Sequence, residues 1–475
     1  MRTLVSPSAF PERPVRRDPS ENCGMNQSFV EYFRCPERYA CFGLTGPLSP
    51  TSGYFRFGQD VCYGRLCGSQ SASNDPAMPE VAREAVIEVG TVGLPFDAKE
   101  IIDNLRFERY PPSSRNEQST VNSLLASAYY YVRPLMPVAV RKHLQRVRLK
   151  GWDRISFPHW PVDRTVNDLF ELMMVLSLTS QKVERIPFVW FWPDGAPSSA
   201  IMTHDVETAQ GRELCRTLMD IDDAHGIKAC FEVIPEQRYE VPPAFLDSIT
   251  SRGFEIAVHD LNHDGRLYKN REYFAERVAK INAYGRKWGT EGFRAAVLYR
   301  RQEWFQDLQF AYDMSVPNVA HLDPQHGGCC TVMPYFIGDL LEIPVTATQD
   351  YTLFHILQDY TTDLWKTQID LIMEKHGLLS FIAHPDYATT GRERKVYEAL
   401  LSYLADLRQK RGVWIATPGA VNKWWRQRAG MRIVEDHQGV RIEGDGSERA
   451  RIAYASAVDG HLSLCVEPAA TSRGS

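Results

Sequence analysis

The chain has 475 residues, with 54 basic and 59 acidic side chains and a formal net charge of −5. Its length exceeds one ordinary domain, and its weak negative field excludes general attraction to nucleic acid or anionic membrane. No run of sequence reaches the ~20 apolar residues of a membrane-spanning helix.

Residues 1–30 are rich in Pro, Arg, Ser and Asn and read as an extended or disordered arm. They contain no uninterrupted apolar stretch, so no secretory signal is expected, and a cytoplasmic location follows as the expectation. Residues 31–95 are dense in Gly, Tyr, Phe and Cys, with runs such as GYFRFGQDVCYG, and predict a small strand-rich region. Residues 69–79 read as a loop. The region 96–190 reads as mainly helical, with helices over Val121–Val132 and Pro137–Val147. A further helix carries Asp168, Leu169, Leu172, Met173 and Leu176 on nearly one face. The basic stretch Arg141–Lys150 has apolar residues threaded through it and reads as a helix with a solvated basic face. The ten cysteines form no C-x-x-C pair and read as free thiols in a reducing compartment.

From about residue 191 to 430 the order becomes regular. The β-branched runs SAIMTHD, KACFEVIP, FEIAVHD, GFRAAVLY, LLEIPVT, GLLSFIAHPDY and VWIATP alternate with amphipathic stretches. Leu214, Leu218, Ile221 and His225 fall at helical spacing before Gly226. Phe274, Val278 and Ile281 do likewise, as do Tyr397, Leu400, Leu401, Leu404 and Leu407. Short buried strands alternating with helices predict parallel βαβ units. No glycine-rich phosphate turn is present. The expected fold is therefore α/β, a distorted parallel barrel of about seven strands with mixed N-terminal additions. Residues 431–475 read as a short β-rich appendage and tail.

The site in such a fold is built at the carboxyl ends of the strands. Those ends carry His204-Asp205-Val206-Glu207, His259-Asp260-Leu261-Asn262-His263, Arg294 and His384-Pro385-Asp386-Tyr387. On a helical turn, His259 and His263 would share one face, where two imidazoles can hold a Zn²⁺-like ion. On an extended strand, Asp205 and Glu207 point the same way and would repel unless one met a cation. One carboxylate with two imidazoles leaves positions open for water and substrate, and the other carboxylate can take a proton. The competing reading is an N-cap Asp before a solvated Glu.

In their order and placement these residues resemble the motifs of the polysaccharide deacetylase family, also called carbohydrate esterase family four or NodB-like, over about residues 195–425. Thr203-His204-Asp205-Val206-Glu207 resembles its first motif and His259–His263 its second. Gly292-Phe293-Arg294 is similar to the third, Tyr312-Asp313-Met314-Ser315 to the fourth, and His384 to the late histidine of the fifth. The resemblance implies a metal-dependent hydrolase that removes the acetyl group from an N-acetylated saccharide. Asp205 would be its base, Arg294 the group orienting that base, and His384 the acid. His259 and His263 would be metal ligands. It also implies a divalent metal, zinc first, with cobalt, nickel or manganese as alternatives. No nucleic-acid partner is implied, and nothing in the sequence sets an oligomeric state.

Two departures stand out. Val206 occupies the family's usual metal-carboxylate position, which makes Glu207 the replacement ligand, and Ala295-Ala296 follow Arg294 without the usual proline. Two other readings stay open: an amidohydrolase acting on a cyclic, non-sugar amide, and a non-catalytic glycan-binding or scaffold protein. His204 and Asp260 are lesser candidates, and the segment from His321 to Cys330 could border the cleft or hold a second metal.

Overall fold

The computed structural model describes residues 24–68, 78–111, 146–147, 149–437 and 439–467. Residues 1–23 of the N-terminal arm, most of the 69–79 loop, nearly all of the helices expected over 121–147 and the tail from 468 lie outside the described residues. Residues 24–30, expected as part of the arm, instead form the short strand Gly24–Met25 and the start of the helix Gln27–Phe33, held by burial of Phe29 and Val30. The chain divides into two units, one of residues 1–110, 164–197 and 423–475 and one of residues 111–163 and 198–422.

In the first unit, the strands Leu48–Phe57 and Asp60–Cys67 form a hairpin. The helix Thr165–Gln181 buries residues on every side, including Leu169, Leu172, Met173 and Leu176, as an all-round apolar helix must. The strand Arg185–Val189 pairs with Ile452–Val458, which turns back at Asp459-Gly460 into His461–Val466. Both turn residues have positive φ (50° and 78°), the geometry that makes Asp-Gly a hairpin signal. Arg428 is buried in this unit, and its guanidinium donates to the carbonyls of Trp190, Val189, Tyr32 and Phe33 at 3.0, 2.8, 2.8 and 3.2 Å. Burial, reinforced by Arg34, lowers its pKa to about 9. Eight of the described cysteines are free thiols, but Cys41 is disulfide-bonded. That bond corrects the expectation of free thiols throughout, because disulfides persist in oxidising surroundings.

The second unit is a curled, mostly parallel sheet with helices packed on it. In chain order its elements are β1 (Ser199–Val206), α1 (Ala209–Ala224), β2 (Cys230–Val233), α2 (Pro243–Thr250), β3 (Glu255–His259), α3 (Arg271–Trp288), β4 (Gly292–Arg294), β5 (Tyr312–Asp313), β6 (Tyr335–Ile337), β7 (Leu340–Glu342), α4 (Asp363–Met373), β8 (Leu378–Ala383), α5 (Pro385–Ala388), α6 (Gly391–Arg411) and β9 (Trp414–Ile415). The strand order is β6-β7-β5-β4-β3-β2-β1-β8, with β9 also on β1. Only β6 runs antiparallel to its neighbour. Each of the seven expected runs contributes a strand, and the short β5 and β6 are additional. Among the described residues no pairing joins β8 back to β6, so the sheet is a curled half-barrel and not a closed one. The core lies between the sheet and its helices. It takes Val206, Phe231, Val233 and Ile256 from the strands with Leu218, Ile221, Leu400 and Leu404 from the helices. Gly226 has φ +64° just past the end of α1, where only a residue without Cβ turns the chain cheaply. Among the described residues, no helix is long and apolar enough to cross a membrane.

Arg428→Met removes the donor from several buried carbonyls. It is expected to lower unfolding free energy by roughly 3 kcal/mol or more. A guanidinium-unfolding curve matching wild type would show that those carbonyls are satisfied without the arginine.

Candidate active site

Strand alternation decides which side chains of β1 enter the site. Asp205 and Thr203 face the same side, whereas Val206 enters the hydrophobic core and His204 faces the helices. His204 Nε2 meets Asp222 at 2.8 Å, and Tyr397 donates to the other oxygen of that carboxylate at 2.6 Å. His204 is thus a buried structural histidine tying β1 to α1 and α6.

Asp205 is the centre of the polar network. Arg294, which is 0% exposed, donates through Nη1 to Asp205 Oδ1 at 2.6 Å and to Thr203 Oγ1 at 2.8 Å. Its Nε donates to the Met314 carbonyl at 3.0 Å. Burial pushes the Asp205 carboxyl pKa up, but Arg294, His259 and His384 together outweigh it and hold it below the ordinary value.

Glu207, His259 and His263 converge, with ligand-capable atoms within 4.8 Å of one another. The segment His259–His263 is not the helical turn expected from its spacing. Asp260 and His263 adopt left-handed φ values of 56° and 55°, and this irregular loop brings the two imidazoles to a centroid distance of 4.8 Å. Arg238 braces the loop by donating to the carbonyls of Asn262 and His263 at 3.2 and 2.6 Å. His259 Nδ1 lies 3.2 Å from the Arg294 carbonyl, which can only accept. The Nδ1 therefore carries the proton and Nε2 presents its lone pair. That Nε2 is buried without a hydrogen-bond partner, and burial lowers the imidazole pKa to about 4. His263 Nε2 is 2.9 Å from Glu207 Oε1 but lacks the alignment of a hydrogen bond. Two buried imidazole nitrogens and one carboxylate facing a common point suit a divalent ion of the zinc type. Glu207 is the open side of this group, with its side chain 30% exposed.

His384 leaves the end of β8 with Nδ1 2.6 Å from Asp350 Oδ1, while its backbone N–H donates to Asp350 Oδ2 at 2.7 Å. Its Nε2 points toward Glu207 Oε1, 3.6 Å away. Burial alone would lower its pKa, but Asp350 and Glu207 raise it well above the ordinary histidine value. Asp350 was not singled out in the sequence. Its one signal is that it follows, four residues on, the apolar run LLEIPVT that opens with β7.

Glu232 was also missed, although a lone carboxylate inside Cys-Phe-Glu-Val is itself a signal. It sits in register with Asp205 on β2, is fully buried, and neither of its oxygens has a hydrogen-bond partner. Burial, with Asp205 and Asp313 adding to it, pushes its carboxyl pKa up to about 8. Asp313 accepts from the Ser315 N–H and hydroxyl at 2.6 and 2.9 Å, and is paired in register with Glu342. Asp260 accepts only from the Leu261 N–H at 2.7 Å and caps no helix. Among the described residues, the segment from His321 to Cys330 provides no second metal cluster. It is packed down through Arg300, Gln325 and a close backbone approach at Gly328, where a Cβ would meet the Asn318 carbonyl oxygen at 2.1 Å.

No family model matches the sequence, and no curated protein matches it. Solved structures do match. A protein assigned as a polysaccharide deacetylase, from Mycobacterium smegmatis, is 18% identical, covering 50% of this chain and 93% of its own at a TM-score of 0.41. The allantoinase PuuE is 13% identical, covering 50% and 92% at 0.40. The peptidoglycan deacetylase PdaC from Bacillus subtilis is 14% identical, covering 49% and 93% at 0.32. Polysaccharide deacetylases, the family the motifs resemble, are thus among the matched structures. Likeness at this identity and score carries no argument for activity, which rests on the site.

Glu232 sets one measurable property. In the unfolded chain its carboxyl ionises near 4.5, while in the fold it keeps its proton to about 8. Stability present below the lower value is therefore lost as pH rises through the higher one. Glu232→Gln has no such loss, so its melting temperature should gain on wild type from about pH 5 to about 8 and then run parallel. Parallel profiles across that whole window would show that Glu232 is ionised in the fold.

Proposed function

We propose that this chain is a metal-dependent N-deacetylase acting on an N-acetylated sugar or glycan precursor, with residues 191–430 as its catalytic part. The observation that supports it is the convergence of three groups at the strand ends: Asp205 on Arg294, Glu207 with His259 and His263, and His384 on Asp350.

A divalent ion bound by Glu207, His259 and His263 would supply Lewis acidity to the amide carbonyl and make water a better nucleophile at neutral pH. Asp205 takes the proton of the attacking water at Oδ2, the oxygen that Arg294 Nη1 leaves open. Arg294 keeps that carboxylate ionised and fixes its direction through Thr203 and the Met314 carbonyl. His384 gives its Nε2 proton to the leaving nitrogen, while Asp350 holds Nδ1 and favours the charged ring.

The first test is elemental analysis of the full chain with acetate release from N-acetylated oligosaccharides. About one ion per chain with acetate release is expected. His263→Ala should lose the ion and keep the fold, and Asp205→Asn should keep the ion and lose roughly 10²–10⁴ in rate. An ion retained in the histidine variant would overturn the ligand set. Metal without acetate, but with opening of ring amides, would replace the sugar reading by the cyclic-amide one.

Asp350→Asn tests the acid. Without the carboxylate, the His384 pKa falls, so the alkaline limb of the kcat profile should move to lower pH. An unmoved limb would place the acid elsewhere.

A further inference from the structure

Val206 is the last residue of β1 and lies in the core, so Glu207 is the first residue past the sheet. The register of β1 on β2 ends with Val206 beside Val233. Ladder hydrogen bonds therefore do not fix the residue that would carry the metal carboxylate. A glutamate also has one more rotatable bond than an aspartate, and ordering it costs correspondingly more. Its aim at two imidazoles has to come from elsewhere.

Two side chains clamp the backbone on either side of Glu207. On the strand side, the Tyr239 hydroxyl donates to the Val206 carbonyl at 2.6 Å and accepts from the Ile234 N–H at 3.0 Å. It thus joins β1 and β2 just past their last paired residues. Its neighbour Arg238 holds the His263 loop, so one short segment after β2 reaches both flanking loops. The left-handed Gln237, with φ 67°, turns that segment, and its side-chain oxygen accepts from Asn262 at 3.2 Å.

On the helix side, Thr208 caps α1 by accepting from the Gly211 N–H at 2.9 Å, and its hydroxyl donates to Asp386 Oδ1 at 2.6 Å. Gly211 is needed for this approach, since a Cβ there would meet Asp386 Oδ2 at 2.4 Å. Asp386 lies in α5, two residues after His384. The loop of the metal carboxylate is therefore tied to the loop of the acid. Glu207 sits between the two clamps, with Oε1 2.9 Å from His263 Nε2.

We propose that Tyr239 and Asp386 are positioning residues for Glu207, holding the backbone at Val206 and Thr208 so that its carboxylate is aimed before an ion arrives. This rests on the reading of Glu207, His259 and His263 as metal ligands. Partners that orient a ligand from behind are worth roughly 10–100-fold in metal affinity.

The experiment is zinc titration of the full-length protein, first stripped of metal, in competition with a chromophoric chelator. Tyr239→Phe and Asp386→Ala are made in the wild-type protein and again in Glu207→Ala. Circular dichroism checks the fold, and melting without metal records any purely structural cost. Tyr239→Phe loses only a hydroxyl and carries the test should Asp386→Ala misfold. In the wild-type background each change is expected to weaken zinc binding roughly tenfold. Asp386→Asn, whose amide oxygen can still accept from Thr208, should restore most of that loss. In Glu207→Ala, which holds zinc more weakly from the start, neither change should weaken it further. Unchanged zinc affinity in folded variants overturns the proposal, and so does an equal loss in both backgrounds. If Glu207→Ala alone weakens zinc while both clamps are silent, the ligand set stands and only the positioning role falls. Wild-type zinc affinity in Glu207→Ala, or no zinc on the wild-type protein, overturns the ligand set and the proposal with it.

Discussion

The buried pair of Arg294 and Asp205 is the constraint on which the site depends. A guanidinium taken wholly out of water is costly unless its charge is matched and its donors used. Here Asp205 supplies the charge, while Thr203 and the Met314 carbonyl take further donors. That one side chain thereby ties β1, β4 and the turn after β5 together. Its own carbonyl then fixes the tautomer of His259, so the candidate metal group is oriented through the same residue. Nearby carboxyls cannot all be charged around one arginine. Glu232, Asp313 and Glu342 are buried with raised pKa values, which leaves Asp205 as the group that keeps its charge.

Much of the second unit was legible in the sequence because its signal is periodic. The seven β-branched runs each form a strand, and Leu400, Leu401, Leu404 and Leu407 line one buried face of α6. Tyr312–Asp313 and Tyr335–Ile337 were not legible, since strands this short carry no alternation. The degree of closure of the expected distorted barrel was not legible. Counting strands cannot show whether the last pairs with the first, and among the described residues no pairing joins β8 to β6.

The candidate site was legible wherever a polar residue follows an apolar run, as with Asp205, Glu207, His259, Arg294 and His384. It was less so where loops decide. Spacing suggested a helical turn for His259–His263, but two left-handed residues do the work, and neither is a glycine. Such conformations cost about 1–3 kcal/mol each and persist only when their surroundings over-determine them. The surroundings here are Arg238 on the loop carbonyls and Arg277, which donates to Asn262 at 3.1 Å and to Asp264 at 2.8 and 2.7 Å. Val297 and Leu298, after Arg294, are likewise left-handed, with φ of 60° and 53°. A β-branched residue there is a stronger outlier still. Strain in both loops flanks the same cluster of groups.

On the proposed reading, the division of labour follows from opposed environments. Asp205 and His384 are both buried, and burial alone would neutralise each of them. Arg294 reverses that for the carboxylate and Asp350 reverses it for the imidazole, so each group is held in its charged form. A charged carboxylate can accept a proton and a charged imidazole can give one. Amide hydrolysis uses the first in the attack of water and the second in the departure of the amine. Glu207 lies near both histidines, 2.9 Å from His263 and 3.6 Å from His384. A cation at the imidazole pair would draw its charge away from His384. The proton on His384 would then be held chiefly by Asp350, which makes that aspartate, absent from the motifs, as consequential to the acid as Arg294 is to the base.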